Sequence, residues 1–364
     1  MNAILSVTAI CLSLLLVWQA VPWVIALGMR RKWVDTPDAR KVHRRPMVRV
    51  GGLAIAMGAI VASILTLAIG TTTHSFGSPE GSTWGDWGAW GVIVGGFGFF
   101  AIGFADDLLQ LPPLPRLLLQ MAFAAIAWFM GVRVEYLPMP YFGAVSTGLL
   151  SLPITLIWLA GTANALNWFD GLDGLAAGTG TLGALLLAFV AWHQDNFAAV
   201  CLALALAGAT IGFLKFNLPP AKLFMGDGGS YLIGFTLAAI SAIGTMQTPS
   251  FRSAILPFVI LGVPLVDMTL VMLNRVRQGK SPLYPDRSHF HHRLLDNGCP
   301  PMFTTGFIWA CSGWVGSWAI SIVGAPWSWV AIVGSSIPFA AMSYGLIRIV
   351  KASATTQPSS VLVD

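Results

Sequence analysis

The chain has 364 residues, of which 56% are hydrophobic and only 10% charged, with a formal net charge of +5. A mean hydropathy of +0.75 excludes an ordinary soluble globule and points to a polytopic membrane protein. The bases are spread beside apolar runs and not gathered on a folded domain, so the expected partners are anionic lipid and anionic substrate, with no nucleic acid.

A membrane span takes about 20 apolar residues. Candidate runs follow one another near 3–27, 50–70, 88–105, 114–131, 149–166, 175–193, 197–214, 230–248, 254–273, 305–323 and 329–349. The expected fold class is all-α, a polytopic integral membrane helical bundle of ten to eleven transmembrane helices. The first run has neither a basic start nor a small-residue cleavage site, and Arg30-Arg31-Lys32 follows it, so it reads as a retained span. With the N-terminus outside, alternation places every Lys and Arg except Arg133 and Arg252 on the cytoplasmic side, together with the C-terminus. Segments 71–87 and 132–148 are then external loops, polar and aromatic. Cys11, Cys201, Cys299 and Cys311 contain no CxxC pair and give no basis for a disulfide framework.

Acids are rare here, and an ionisable residue in or beside a span is a functional candidate because its charge is costly near hydrocarbon unless paired, hydrated or bound to a cation. Asp106-Asp107 closes the third run just before Pro112-Pro113; two adjacent carboxylates suit Mg²⁺ binding or proton removal from a phosphate, or are a solvated helix end. Asn167, Asp170 and Asp173 stand three apart and line one face if the stretch is helical, with Gly171 and Gly174 opening it. The spacing does not fit an EF-hand. The loop from Lys215 to Ser230 offers Asn217, Lys222, Phe224 and Asp227, residue types able to meet a base, a diphosphate and a metal; without GxxxxGK[ST] it is no P-loop. His289, His291 and His292, beside Arg293, suit phosphate better than zinc, since HExxH and a paired cysteine are both missing. His43, within Arg40–Pro46, is either part of the basic retention signal or a lipid-phosphate contact. Asp267, on the order of 12 Å inside its span, is expected to partner a buried base or hydroxyl, with a proton relay as the other reading.

In this order, from about Val34 to about Leu295, these segments resemble the polyprenyl-phosphate N-acetylhexosamine-1-phosphate transferase family, whose members include the WecA and MraY types. The resemblance implies that N-acetylglucosamine 1-phosphate passes from UDP-N-acetylglucosamine to undecaprenyl phosphate, releasing UMP and initiating a cell-surface polysaccharide. It implies Mg²⁺, with Mn²⁺ able to stand in, and makes Asp227 its ligand. It gives Asp106 and Asp107 to activation of the lipid phosphate or to the metal, and Asp170 and Asp173 with Asn167 to the catalytic and nucleotide-sugar pocket. It makes Phe224 and Asn217 uracil contacts, and His289, His291 and His292 diphosphate or sugar contacts. Lys222, Arg293 and His43 complete the expected substrate-binding set. Residues 1–351 are then one transmembrane catalytic domain in the inner (plasma) membrane with its active site at the cytoplasmic face, and 352–364 a disordered cytoplasmic tail. Other expected partners are membrane lipid and a second copy as homodimer.

His43-Arg44-Arg45-Pro46 and His289-Phe290-His291-His292 are similar to the WecA type, which favours a simple sugar over the muramoyl pentapeptide; another UDP-N-acetylhexosamine or the pentapeptide donor are the alternatives within the reaction. The alternative of another class is a proton-coupled transporter, whose ionisable groups would line a path through the bilayer centre.

Overall fold

The computed structural model describes residues 2–35, 46–72, 85–281 and 288–356. In chain order its helices are α1 (Asn2–Arg31), α2 (Gly52–Thr72), α3 (Gly85–Leu109), α4 (Pro113–Phe129), α5 (Ser151–Phe169), α6 (Leu175–His193) and α7 (Phe197–Asn217). They continue with α8 (Gly226–Thr245), α9 (Phe251–Ile260), α10 (Gly262–Arg277), the short α11 (Phe290–Asp296), α12 (Pro301–Val323) and α13 (Ser328–Thr356). Among the described residues nine helices are long and apolar enough to cross a membrane singly, and α9 with α10 passes the same test as a pair. The shorter α4 has 17 residues. Every apolar run read from the sequence is thus helical, as hydrocarbon requires of backbone that must satisfy its own hydrogen bonds, and the protein is a multi-pass all-α membrane bundle.

Local chemistry sets the breaks. Pro113 occupies the first turn of α4, where its missing N–H is no loss. Asn196 caps α7 by accepting from the Ala199 N–H at 3.0 Å. The expected ninth span, 254–273, divides at Leu261, and its halves meet at 71°. Pro264 cannot donate to the Ile260 carbonyl, so the ladder has no rung where the chain turns.

Helix α8 is the hub. It packs against α2, α3, α5 and α6, and 94% of its span is buried, against none of the α13 span. Phe235 of α8 stacks on Phe99 of α3 with ring centroids 4.5 Å apart. Buried Ala176, Ala177, Ala184 and their glycine neighbours on α6 let the helix axes come close, the packing mode that replaces the hydrophobic drive inside a membrane.

Two small antiparallel hairpins mark opposite ends of the bundle. At one end β1 (Val34–Asp35) pairs with β2 (Met47–Val48). At the other, β3 (Tyr136–Met139) pairs with β4 (Gly143–Ser146), and the Glu135 and Tyr136 N–H groups both donate to the Met246 carbonyl, at 3.1 and 3.0 Å. The second hairpin gives a shape to the segment 132–148, which reads from the sequence as a polar and aromatic loop. Two prolines obscure its strand pattern, while the tip is set by Tyr141 and Gly143, at φ +70° and +79°. Alternation puts Arg133 and Arg252 at the β3–β4 end and the remaining described Lys and Arg residues at the β1–β2 end.

Candidate active site

At the β1–β2 end, the terminus of α5, the turn after it, the 218–225 loop and the start of α8 enclose a cavity of about 630 Å³. Asp35, Arg49, Asn167, Asp170, Asp173, Asn217, Phe224 and Asp227 are among its lining residues.

The first turn of α8 organises it. Helix α8 begins at Gly226, four residues earlier than the expected span, so Asp227 sits on a helix and not in a loop. Gly226 has φ +73°, and a Cβ there would strike the Arg49 carbonyl and the Asp107 carboxylate. Gly103 of α3 lies directly against the Asp227 backbone, bringing the two helices together. Asp107 then reaches across from α3 to accept the Asp227 and Gly228 N–H groups, each at 3.1 Å, and the Arg49 guanidinium at 3.3 Å. A carboxylate from another helix thereby caps α8 where its dipole is positive. Its neighbour Asp106 is held differently, accepting the Leu111 N–H at 2.7 Å and pairing with Arg116 of α4. Both acids are buried outside the cavity lining.

Asn167 donates to the Asp227 carboxylate at 2.8 Å and to Ser230 Oγ at 3.0 Å, which fixes the Asp227 side chain toward the cavity from a second helix. The expectation that Asn167, Asp170 and Asp173 share a helical face is corrected: α5 stops at Phe169, Asp170 terminates it with φ −78° and ψ 53°, and Asp173 lies in the following turn. Asp173 accepts the Ala221 N–H at 3.0 Å, tying that turn to the 218–225 loop. Asn217 completes the tie, accepting from the Gly174 N–H and donating to the Leu223 carbonyl, each at 3.0 Å. Both ends of its amide are therefore engaged with backbone. Burial pushes the Asp170 carboxyl up to about 8, helped by the neighbouring charges of Asp227, Asp107 and Asp173.

Phe224 forms part of the wall, whereas Lys222 is exposed and does not line the cavity. The histidine segment borders the site from behind. His289 Nδ1 lies within hydrogen-bond distance of Asp267, at 2.8 Å, the buried base that the intramembrane acid was expected to find. His291 is 1% exposed and packs on Gly171, with no hydrogen bond to either ring nitrogen among the described residues. Burial, with the charges of His292 and His289, holds it down to about 3. His292 is half-buried, and Arg293 is exposed and donates to the Ser288 carbonyl at 2.9 Å. None of the four lines the cavity. His43 lies outside the described residues.

Sequence reasoning missed Arg116, Asp35 and Ser230. Arg116 read as one more base beside a span, and only its ten-residue offset from Asp106 across a two-proline break hinted at a pairing. Among the described residues no three His, Cys, Asp or Glu side chains are grouped closely enough to hold a metal by themselves. A hard divalent cation that takes one or two carboxylates and draws its other oxygens from phosphate and water fits Asp227 and Asp170.

The description of glycosyl transferase family 4 matches residues 89–245, which include every cavity carboxylate except Asp35. The probable undecaprenyl-phosphate N-acetylglucosaminyl 1-phosphate transferase of Bacillus subtilis (strain 168) is 33% identical over 84% of this chain and 83% of its own. The decaprenyl-phosphate N-acetylglucosaminephosphotransferase of Mycolicibacterium smegmatis is 36% identical over 78% of this chain and 74% of its own. A phospho-N-acetylmuramoyl-pentapeptide-transferase from Halalkalibacterium halodurans is 32% identical, but over 54% of this chain and 63% of its own.

Proposed function

The chain belongs to glycosyl transferase family 4 and is a sugar-phosphate transferase, and from that premise we propose that it transfers N-acetylglucosamine 1-phosphate from UDP-N-acetylglucosamine to undecaprenyl phosphate, releasing UMP. The observation that carries this reading is the convergence of Asn167, Asp170, Asp173 and Asp227 on one cavity at one end of the bundle, with Asp107 from a third segment bonded to the backbone of the helix turn that bears Asp227. A cavity of about 630 Å³ suits a nucleotide sugar, and the relatives that span most of this chain are named for N-acetylglucosamine transfer. Membership of an enzyme family replaces the transporter alternative. The bases gathered at the β1–β2 end support a cytoplasmic site in the inner membrane.

An anionic lipid phosphate attacking an anionic diphosphate must first be relieved of charge repulsion. Bound at Asp227 and Asp170, Mg²⁺ would supply the charge that screens the diphosphate and stabilises leaving UMP. Asn167 holds Asp227 facing the cavity, and Arg49, half-exposed at the lining, offers a cation to the incoming phosphate. Phe224 provides an aromatic wall for uracil. Asp106 and Asp107 each accept two or more hydrogen bonds from neighbouring groups, which suits positioning better than nucleophilic attack. The reaction is accordingly a direct displacement by the lipid phosphate; a phosphosugar trapped on an aspartate would sink it in favour of a covalent route.

The test is UMP release by the purified protein in detergent with undecaprenyl phosphate and Mg²⁺, offering UDP-N-acetylglucosamine or UDP-muramoyl pentapeptide, with Asp227→Asn as control. Turnover of the first donor is expected, abolished in the variant. Turnover of the pentapeptide donor alone would keep the chemistry and overturn the sugar, and UMP from neither would overturn N-acetylglucosamine as the sugar and call for the other UDP-N-acetylhexosamines as donors.

A further inference from the structure

Helix α10 carries two buried ionisable side chains two turns apart, Asp267 at 8% and Arg275 at 3% exposure. Asp267 uses both oxygens: Oδ2 accepts from His289 Nδ1 and Oδ1 from the Phe290 N–H, each at 2.8 Å. An ionised carboxylate offers only acceptors, so the Nδ1 position carries the proton and Nε2 is left for another partner. The grip on the adjoining backbone N–H fixes the ring's orientation as well as its tautomer.

The His289 ring stands edge-on to Trp168, with centroids 6.3 Å apart, and parallel to His291 at 5.8 Å. Arg275 lies 5.0 Å above the Trp168 ring. Trp168 directly follows Asn167, which holds Asp227, and His291 packs on Gly171 beside Asp170. Thus α10 contacts the back of the site at two points, and one is a carboxylate–imidazole pair. An apolar residue at 267 would fill a membrane helix at lower cost than an acid, but it could neither select a tautomer nor hold the 289–290 backbone.

We propose that Asp267 is a positioning residue of the active site that acts through His289, holding its imidazole in the Nδ1–H tautomer and its ring in place against Trp168 and His291 at the back of the cavity. The inference rests on the phosphosugar-transfer reading for the reaction that is assayed, and on geometry alone for what Asp267 does to His289.

In Asp267→Asn the side-chain oxygen can still accept the Phe290 N–H while the amide nitrogen faces His289, which forces the proton to the other ring nitrogen. That variant is expected to lose about 100-fold in kcat, the scale of a small misplacement, with KM for the UDP-sugar changed less than threefold. Asp267→Glu should recover part of the loss. In a His289→Gln background Asp267→Asn should bring no further loss, because the two act as one unit. Independently of turnover, the ¹⁵N-histidine signal that disappears in His289→Gln should report Nδ1–H in the parent protein and Nε2–H in Asp267→Asn. An unchanged tautomer, or an equal loss of kcat with and without His289, overturns the inference. A parent protein that releases no UMP overturns the reaction and leaves the spectrum to decide the positioning role. Should Asp267→Asn fail to fold, the same cycle and spectrum are run with Asp267→Ala, which likewise removes the acceptor that holds the proton on Nδ1.

Discussion

Asp227 is the residue on which the site turns, and its orientation depends on one amide. Removing the Asn167 contact in Asn167→Ala leaves the carboxylate free to rotate, and kcat should fall about 100-fold with the fold intact, because misplacing a reacting group by about 1 Å has that effect. Steady-state assays of the folded variant check it. His291 makes a different prediction. Burial, reinforced by its histidine neighbours, holds it down to about 3, below the roughly 6.5 of an unfolded chain. A basic group with a depressed folded value contributes stability that is complete above about 6.5 and is lost as pH falls from there toward 3. Between pH 7 and pH 5 the His291 contribution should therefore fall by about 1 kcal/mol of stability per pH unit, read as the change in the Tm difference between the parent and His291→Asn, in which every other titrating group cancels. An equal slope in the variant would assign the acid sensitivity elsewhere.

Among elements, the contact of α3 with the α8 terminus is the most sensitive. Gly103 faces the Asp227 backbone with no room for a methyl group, so Gly103→Ala should separate the helices, weaken the Asp107 cap and lower stability by about 1–3 kcal/mol together with activity. Gly161, where a Cβ would meet nothing within 4 Å, is the control position: Gly161→Ala should leave Tm and turnover near the parent values. Both comparisons are read by Tm and turnover in the same detergent. The same scale shows what was legible in the sequence. Apolar length located every span, since in hydrocarbon only helices satisfy the backbone, and the acidic segments marked Asp170, Asp173 and Asp227 because little else polar lies near them. What the pattern could not carry were pairings between distant segments. Nothing local distinguishes Asp107 as the cap of a helix 120 residues away, Arg116 as the partner of Asp106, or Asn217 as a clasp between two loops. The halt of α5 at Phe169 was likewise hidden, because an Asn-x-x-Asp-Gly-x-Asp-Gly run is compatible with a kinked helix until Gly174 is seen at φ +76°.

For the whole molecule, gathering carboxylates around one cavity stores repulsion that a cation would relieve. The Asp170 group, pushed up to about 8 by burial and by Asp227, Asp107 and Asp173, keeps its proton in the fold at pH values where the unfolded chain has lost it. The sign is opposite to that of His291: stability from Asp170 is present at low pH and declines as pH rises from about 4 toward 8. Mg²⁺ binding to the ionised group should reverse the decline. Protein stripped with a chelator and titrated with Mg²⁺ is therefore expected to gain more in Tm at pH 8.5 than at pH 6, and Asp170→Asn should reduce the difference. Equal gains at both pH values would remove Asp170 from the cation site.

The burial of α8 has a mechanical consequence. The helix that carries Asp227 is sheathed by its neighbours along 94% of its span, while α13 forms an unburied flank. Thickening or thinning the surrounding bilayer therefore deforms the perimeter first, and the reacting groups ride on an axle that the lipid hardly touches.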